Sequence, residues 1–277
     1  MGTRFPSLVD RSRRFIPYAL SHGSGGSGGG GSDWDLSANN TLVLTHNSSG
    51  VITDPQAVLT ADLYAAWLMD ETSGTRADSV GDIDLYSWNN VGSTTGKDGK
   101  AARTLAADDS VLYHPGGLGF SSGNFYVSAW LYLENTDNSQ KWLIGDSITG
   151  GDGRWFLFYY PISDVYRFHM AGNSSSTTVS FSIDDADSTG TWTFLEFYYK
   201  PNDFEIGIAV NGSEFQTKTH NYGFNSAEGE YFLVGSSDAR ATTIDTRVDL
   251  LYIWRRILTS EERSIIYNSG NGINLFS

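Results

Sequence analysis

The chain reads as an all-β sandwich of two antiparallel sheets, closed by one short C-terminal helix and preceded by an extended N-terminal arm. Three observations predict this. From residue 62 onward, short runs rich in Val, Ile, Thr, Tyr, Phe and Trp are separated by Gly, Asn, Asp and Ser clusters at the spacing of sandwich strands. The one clear helical signal, over 259–269, comes at the very end, directly after the most apolar strand. Phe, Trp and Tyr make up 14% of 277 residues with no cysteine, so a core of this fold must be held by packing and not by disulfides.

The elements follow in order. Residues 1–20 form a basic and aromatic arm in which Arg4, Phe5, Arg11, Arg13, Arg14 and Phe15 stand out as anchoring candidates, because arginines pair with acidic grooves and phenylalanines fill pockets. Residues 21–32 are a Gly/Ser-rich hinge. A lead-in segment, 33–61, holds one hairpin, with 41–45 and 51–53 flanking the Asn47–Gly50 turn. The remainder, 62–277, is expected to be one jelly-roll domain. In 125–133 (FYVSAWLYL) the odd positions suit the core and turn Tyr126, Trp130 and Tyr132 to the opposite face; in 192–199, Trp192, Phe194 and Tyr198 oppose Leu195, Phe197 and Tyr199. Residues 248–254 (VDLLYIW) are apolar on both faces apart from Asp249, as in a strand buried on both sides. Thr259 and Glu262 then form a capping box, Ile265 and Ile266 an apolar stripe, and Gly270 the left-handed stop.

The closing stretch, 246–272 (TRVDLLYIWRRILTSEERSIIYNSGNG), resembles the closing element of laminin-G-like (concanavalin A-like) jelly-roll domains. Further stretches occur in family order: 66–74 (AWLMDETSG), 77–81 (ADSVG), 96–103 (GKDGKAAR), 125–130 (FYVSAW), 192–197 (WTFLEF) and 208–212 (IAVNG). The resemblance covers roughly 62–272 and implies the fold; the same fold hosts lectins, glycosidases, lyases and structural modules. It also implies a calcium ion at a loop rim, for which Asp78, Asp82, Asp84 and Asp249 are the candidate oxygen donors. The alternative for these four is turn capping and one hydrogen-bonded buried carboxylate.

The residue patterns of other chemistries are not found. The glycosidases of this fold place Glu, then Asp two residues later, on one strand, and none of the nine glutamates here has Asp two residues later, so no enzyme is expected. The five histidines are scattered with no pair at ligand spacing, so no zinc site is expected. Net charge is −14; the first 32 residues carry four arginines against Asp10, and the other 14 basic and 31 acidic residues put −17 on 33–277, which disfavours nucleic acid and anionic membranes as partners. No run approaches the roughly 18 apolar residues of a membrane span, and 15–20 (FIPYAL) is too short and Pro-interrupted for a secretory signal.

A glycan-associated fold with a basic arm and no visible export signal leads to a virion structural protein, as in bacteriophage particles: decoration, fibre or host-attachment component. Its arm would bind other virion proteins, its jelly roll would stand on the virion surface as a homo-oligomer, and its partner would be a host-surface glycan. The glycan-binding candidates are Tyr126, Trp130 and Tyr132, whose rings would stack on sugars if exposed; the competing reading packs them under loops or against a neighbouring subunit. The rival functions are a carbohydrate-binding module of an extracellular protein and a divergent polysaccharide hydrolase or lyase.

Overall fold

The computed structural model describes residues 45–46, 52–53, 55–118, 120, 123–135, 140–147, 155–172, 175–182, 189–222, 231–236 and 244–277. The arm and hinge, with Arg4, Phe5, Arg11, Arg13, Arg14 and Phe15, lie outside the described residues.

In chain order the elements are β1 (Thr45–His46), β2 (Ile52–Thr53), α1 (Pro55–Ala61), β3 (Leu63–Trp67), β4 (Tyr86–Trp88), β5 (Gly92–Thr95), β6 (Lys100–Thr104), β7 (Val111–Pro115), β8 (Phe125–Leu133), β9 (Lys141–Ser147), β10 (Trp155–Tyr160), β11 (Val165–Ala171), β12 (Ser176–Ser182), β13 (Trp192–Lys200), β14 (Glu205–Val210), β15 (Gln216–Thr219), β16 (Tyr231–Val234), β17 (Thr246–Trp254) and α2 (Ser260–Tyr267). Strands β1 and β2 pair with each other, Thr45 opposite Thr53. A seven-stranded sheet runs β12-β11-β10-β9-β16-β7-β4, and an eight-stranded sheet runs β15-β14-β13-β8-β17-β6-β5 with β3 paired to β17. Every ladder between these strands is antiparallel. The two-sheet all-β fold predicted from strand spacing is therefore the fold observed. Among the described residues no helix is long and apolar enough to cross a membrane.

Alternation dictates the interior. Phe125, Val127, Ala129, Leu131 and Leu133 of β8 point inward with Leu195, Phe197 and Tyr199 of β13, and meet Trp155, Leu157, Phe168 and Phe232 from the other sheet. Phe125 is a hub: Phe120 stacks on it at 5.0 Å, and Trp155, Phe168 and Tyr199 surround it at 5.3–6.2 Å. Burying each such ring contributes roughly 1.5–3 kcal/mol, the main force holding the sheets together.

A second apolar cluster covers the outer face of the eight-stranded sheet. Tyr126, Trp130, Phe194, Tyr198, Tyr252 and Trp254 lie under Leu59, Leu258, Ile266 and Leu275. This explains why β17 is apolar on both faces: it is a central strand with a core on each side. A bulge in β17 sets Leu250 and Leu251 opposite the single Ala129 of β8, between the pairs Asp249–Trp130 and Tyr252–Ser128. Leu250 sits at φ 46°, which turns it into the outer cluster while Leu251 enters the interior.

Helix α2 starts as its capping box predicts: Glu262 N–H donates to Thr259 Oγ1 at 3.3 Å, and Thr259 N–H donates to Glu262 Oε2 at 2.8 Å. Its stop differs from the expectation. Asn268 is the left-handed C-cap (φ 48°), its side-chain amide donating to Gly272 O at 2.8 Å, so the helix ends two residues earlier; a 3₁₀ turn, Asn268–Gly270, follows, and Gly270 is itself left-handed at φ 87°. Helix α1 is an element the sequence reading lacked. Seven residues are too few for a periodicity signal, and what holds the helix is tertiary: Leu59 is buried in the outer cluster, and Trp254 Nε1 donates to Leu59 O at 2.9 Å.

Candidate functional site

The two outer faces of the sandwich have opposite fates, and the candidates read from the sequence fall on the covered one. Tyr126 is fully buried and donates its hydroxyl to Glu196. Burial and the adjacent Glu196 carboxylate push that phenol well above its ordinary range. Arg263 of α2 grips the same carboxylate through two hydrogen bonds of 2.9 Å, donates to Ser213 O at 2.7 Å and lies over Phe215. Trp130, 2% exposed, is stacked by Tyr267 at 5.9 Å and contacted by Phe194 at 5.1 Å, with Lys97 Nζ 4.3 Å from its ring centroid. The chain presses so close here that a Cβ on Gly272 (φ +72°) would sit 2.9 Å from Trp130 Nε1. Tyr132, half-buried, is covered by Arg247 at 4.3 Å and by the edge of Trp192. The expectation that Tyr126, Trp130 and Tyr132 offer stacking faces is thus corrected. Alternation placed all three outward, but the C-terminal helix and tail lie on top of Tyr126 and Trp130, and the strand neighbours Arg247 and Trp192 cover Tyr132.

The four aspartates do not converge. Asp78 folds its own turn, accepting from Ala66, Val80 and Gly81 N–H at 2.9–3.1 Å, and Asp84 accepts from Asp78 N–H at 2.9 Å. Asp82 is exposed. Asp249 accepts from the backbone N–H groups of Lys97, Asp98 and Leu250 at 2.6–2.9 Å, which ties the 96–100 loop to β17; burial nevertheless outweighs those bonds and pushes its carboxyl up to about 7. Among the described residues no group of three or more His, Cys, Asp or Glu is placed to hold a metal ion. These carboxylates spend their oxygens on backbone amides, which is the turn-capping reading of them.

The other outer face, that of the seven-stranded sheet, carries the surface with chemistry. Directly opposed residues share a face, so the registers place Tyr86, Tyr113, Leu233, Gly145, Phe156, His169 and Thr178 in one row across all seven strands. At 4.7–4.8 Å per strand this row is about 28 Å wide. A parallel row runs Trp142, Phe158, Arg167, Ser180. Tyr86, Trp88, Tyr113 and Trp142 belong to neither core cluster and keep some exposure, while Phe156 and Phe158, turned the same way, are buried.

The face has two halves. On the β4 side, Tyr86 and Trp88 are 42% and 38% exposed, and their rings lean on Tyr113 at 5.9 and 6.2 Å, which in turn meets Tyr231 at 6.0 Å. On the β10 side, Trp142 packs edge-on against Phe156 at 4.7 Å and beside Phe158 at 5.3 Å. Gly145 is required there, because any Cβ would collide with the Phe156 ring lying over it. Arg167 lies over Tyr160 at 4.7 Å, and the Thr178 hydroxyl sits 2.9 Å from His169 Nδ1. Aromatic faces beside hydroxyls, an imidazole and a guanidinium suit a ligand with both apolar and hydroxylated faces. The sequence did hold a signal, in the alternation of Tyr86 with Trp88 and of Arg167 with His169.

A family model described as the concanavalin A-like lectin/glucanases superfamily matches residues 105–262. Comparison with curated proteins returns no match. Among solved structures, the binding domain of Paraclostridial Mosquitocidal Protein 1 is similar with a TM-score of 0.64 and 15% identity, over 76% of this chain and 53% of that one. The binding domain of Botulinum neurotoxin DC in complex with rat synaptotagmin II is similar with a TM-score of 0.61 and 15% identity, over 76% and 52%. A botulinum neurotoxin type C structure, from work on its dependence on two ganglioside molecules for cell entry, gives 0.60 and 15%, over 77% and 53%. The chain thus spans about half the length of these structures, and at such identity the likeness is one of fold.

Proposed function

The chain belongs to the concanavalin A-like lectin/glucanase superfamily, and on that premise we propose that it is a binding protein whose ligand is a glycan held on the outer face of the seven-stranded sheet. The observation that carries this is the exposed strip of Tyr86 and Trp88 backed by Tyr113 and Tyr231. Large aromatics left in water beside polar groups are placed to stack on sugar rings. Binding without catalysis fits the carboxylates: Glu196 is gripped by Arg263 and Tyr126, Glu134 is shared by Arg103 and Arg247, and Glu205 is held by Tyr198 and Lys200. The proposal extends to display on a virion surface, with 1–20 docking into other virion proteins, 21–32 acting as hinge and many copies supplying avidity.

The test is a glycan array with the full chain and with Tyr86→Ala plus Trp88→Ala. The double variant should keep the wild-type melting temperature within a few degrees and lose binding about tenfold or more; unchanged binding removes the site. Deleting 1–20 should abolish incorporation into particles while glycan binding persists, and incorporation without the arm would end the anchoring proposal. A protein receptor is a second reading, since one similar toxin domain is described in complex with rat synaptotagmin II; binding to cell surfaces that survives glycosidase treatment would favour it.

A further inference from the structure

Arg167 is the odd arginine of the molecule. Seven arginines are described; Arg76, Arg103, Arg247, Arg256 and Arg263 each lie within 4.0 Å of a carboxylate. Arg255 is exposed and covers Tyr64. Arg167 sits on β11, one strand in from the β12 edge of the seven-stranded sheet, half-buried over Tyr160, with Phe158 and Ser180 as its cross-strand neighbours. Among the described residues it has no carboxylate partner, and its Nε is shielded from solvent with no hydrogen-bond acceptor. A half-buried guanidinium placed so, where five of the seven described arginines are paired with carboxylates, is a costly arrangement unless a ligand completes it.

We propose that Arg167 receives the carboxylate of an acidic sugar, with the Phe158 and Tyr160 rings as apolar neighbours and the Ser180 and Thr178 hydroxyls as sugar-hydroxyl partners. This rests on the glycan-binding reading above and names its ligand class. The planar fork of arginine matches a planar carboxylate through two parallel hydrogen bonds. One half-buried guanidinium without a carboxylate partner among the described residues, in a region of net charge −17, suits one isolated carboxylate, whereas a densely sulfated chain would be repelled by the surrounding charge.

The experiment uses the full chain and matched oligosaccharide pairs that differ only in the carboxylate or its reduction to the primary alcohol. One pair contains a hexuronate and the other a terminal sialate, so the two arms tell the sources apart. The wild type should prefer the carboxylate member of at least one pair by about ten- to a hundredfold, the range of a charge-assisted hydrogen bond. Arg167→Gln should bind both members of that pair equally, at the affinity the wild type shows for the reduced sugar. Arg167→Lys, which keeps the charge but not the fork, should fall between; it also serves if the glutamine variant melts early. Equal wild-type binding to both members of each pair overturns the inference and leaves the glycan reading standing. A preference for sulfated over carboxylated sugars likewise overturns it, and no binding to any sugar overturns both.

Discussion

The outer faces of the two sheets start from the same kind of sequence and end differently. β8 and β13 turn Tyr126, Trp130, Phe194 and Tyr198 outward, and β4 and β10 turn Tyr86, Trp88, Phe156 and Phe158 outward. The first set is roofed by α1, α2 and the C-terminal tail and becomes a second core; both described helices lie on that side. Of the second set, Phe156 and Phe158 are buried, whereas Tyr86 and Trp88 at the β4 edge remain partly in water. An outward aromatic therefore stays accessible at one face's edge and becomes a stability group on the other, and the neighbouring chain decides which.

The contrast breaks most visibly under the helix. Arg263→Ala leaves the buried Glu196 carboxylate without its cation, and Trp130→Ala opens a cavity beneath Tyr267; each should lower unfolding free energy by about 3–5 kcal/mol in urea titrations. A loss below about 1 kcal/mol for Trp130→Ala would mean that the roof is not load-carrying and that the ring is free to act as first expected. Next in size is the pH dependence set by Asp249. Burial raises its folded-state carboxyl to about 7, above the unfolded value of about 3.9. Its protonation thus favours the folded state: this contribution is complete below about pH 4 and is lost as pH rises through 7, on the order of 4 kcal/mol. Asp249→Asn should flatten that slope in melts run from pH 4 to 8, and an unchanged slope would assign it to another group. The smallest effect belongs to the open face. Trp88→Ala should cost less than about 1 kcal/mol, since the ring is already 38% exposed; a core-sized loss would make it structural and weaken its case as a ligand group.

Much of this was legible in the residues. Period-two alternation assigned the inward and outward sets of β8 and β13 correctly, because side-chain direction in a strand is a local property. The capping box at Thr259 and Glu262 was equally local. Other features were not. Helix α1 exists because Leu59 and Trp254, far apart in the chain, pack and share a hydrogen bond. Asn268 stops α2 ahead of Gly270 because its side chain reaches Gly272 O. The aspartates Asp78, Asp84 and Asp249 have the composition of a calcium site, but only folding shows that backbone amides occupy their oxygens.

By itself, then, the sequence determined the all-β class, the strand faces, the closing helix and the family. The tertiary structure decided which of two aromatic faces is covered, and with it where a ligand can sit. The physical reason is range: alternation and caps act between residues a few positions apart, whereas the covering of a face depends on where a distant tail comes to rest. Residues 257–275 settle over Trp130 because Arg263 finds Glu196 and Tyr267 finds the Trp130 ring, contacts that span 67 and more than 130 positions.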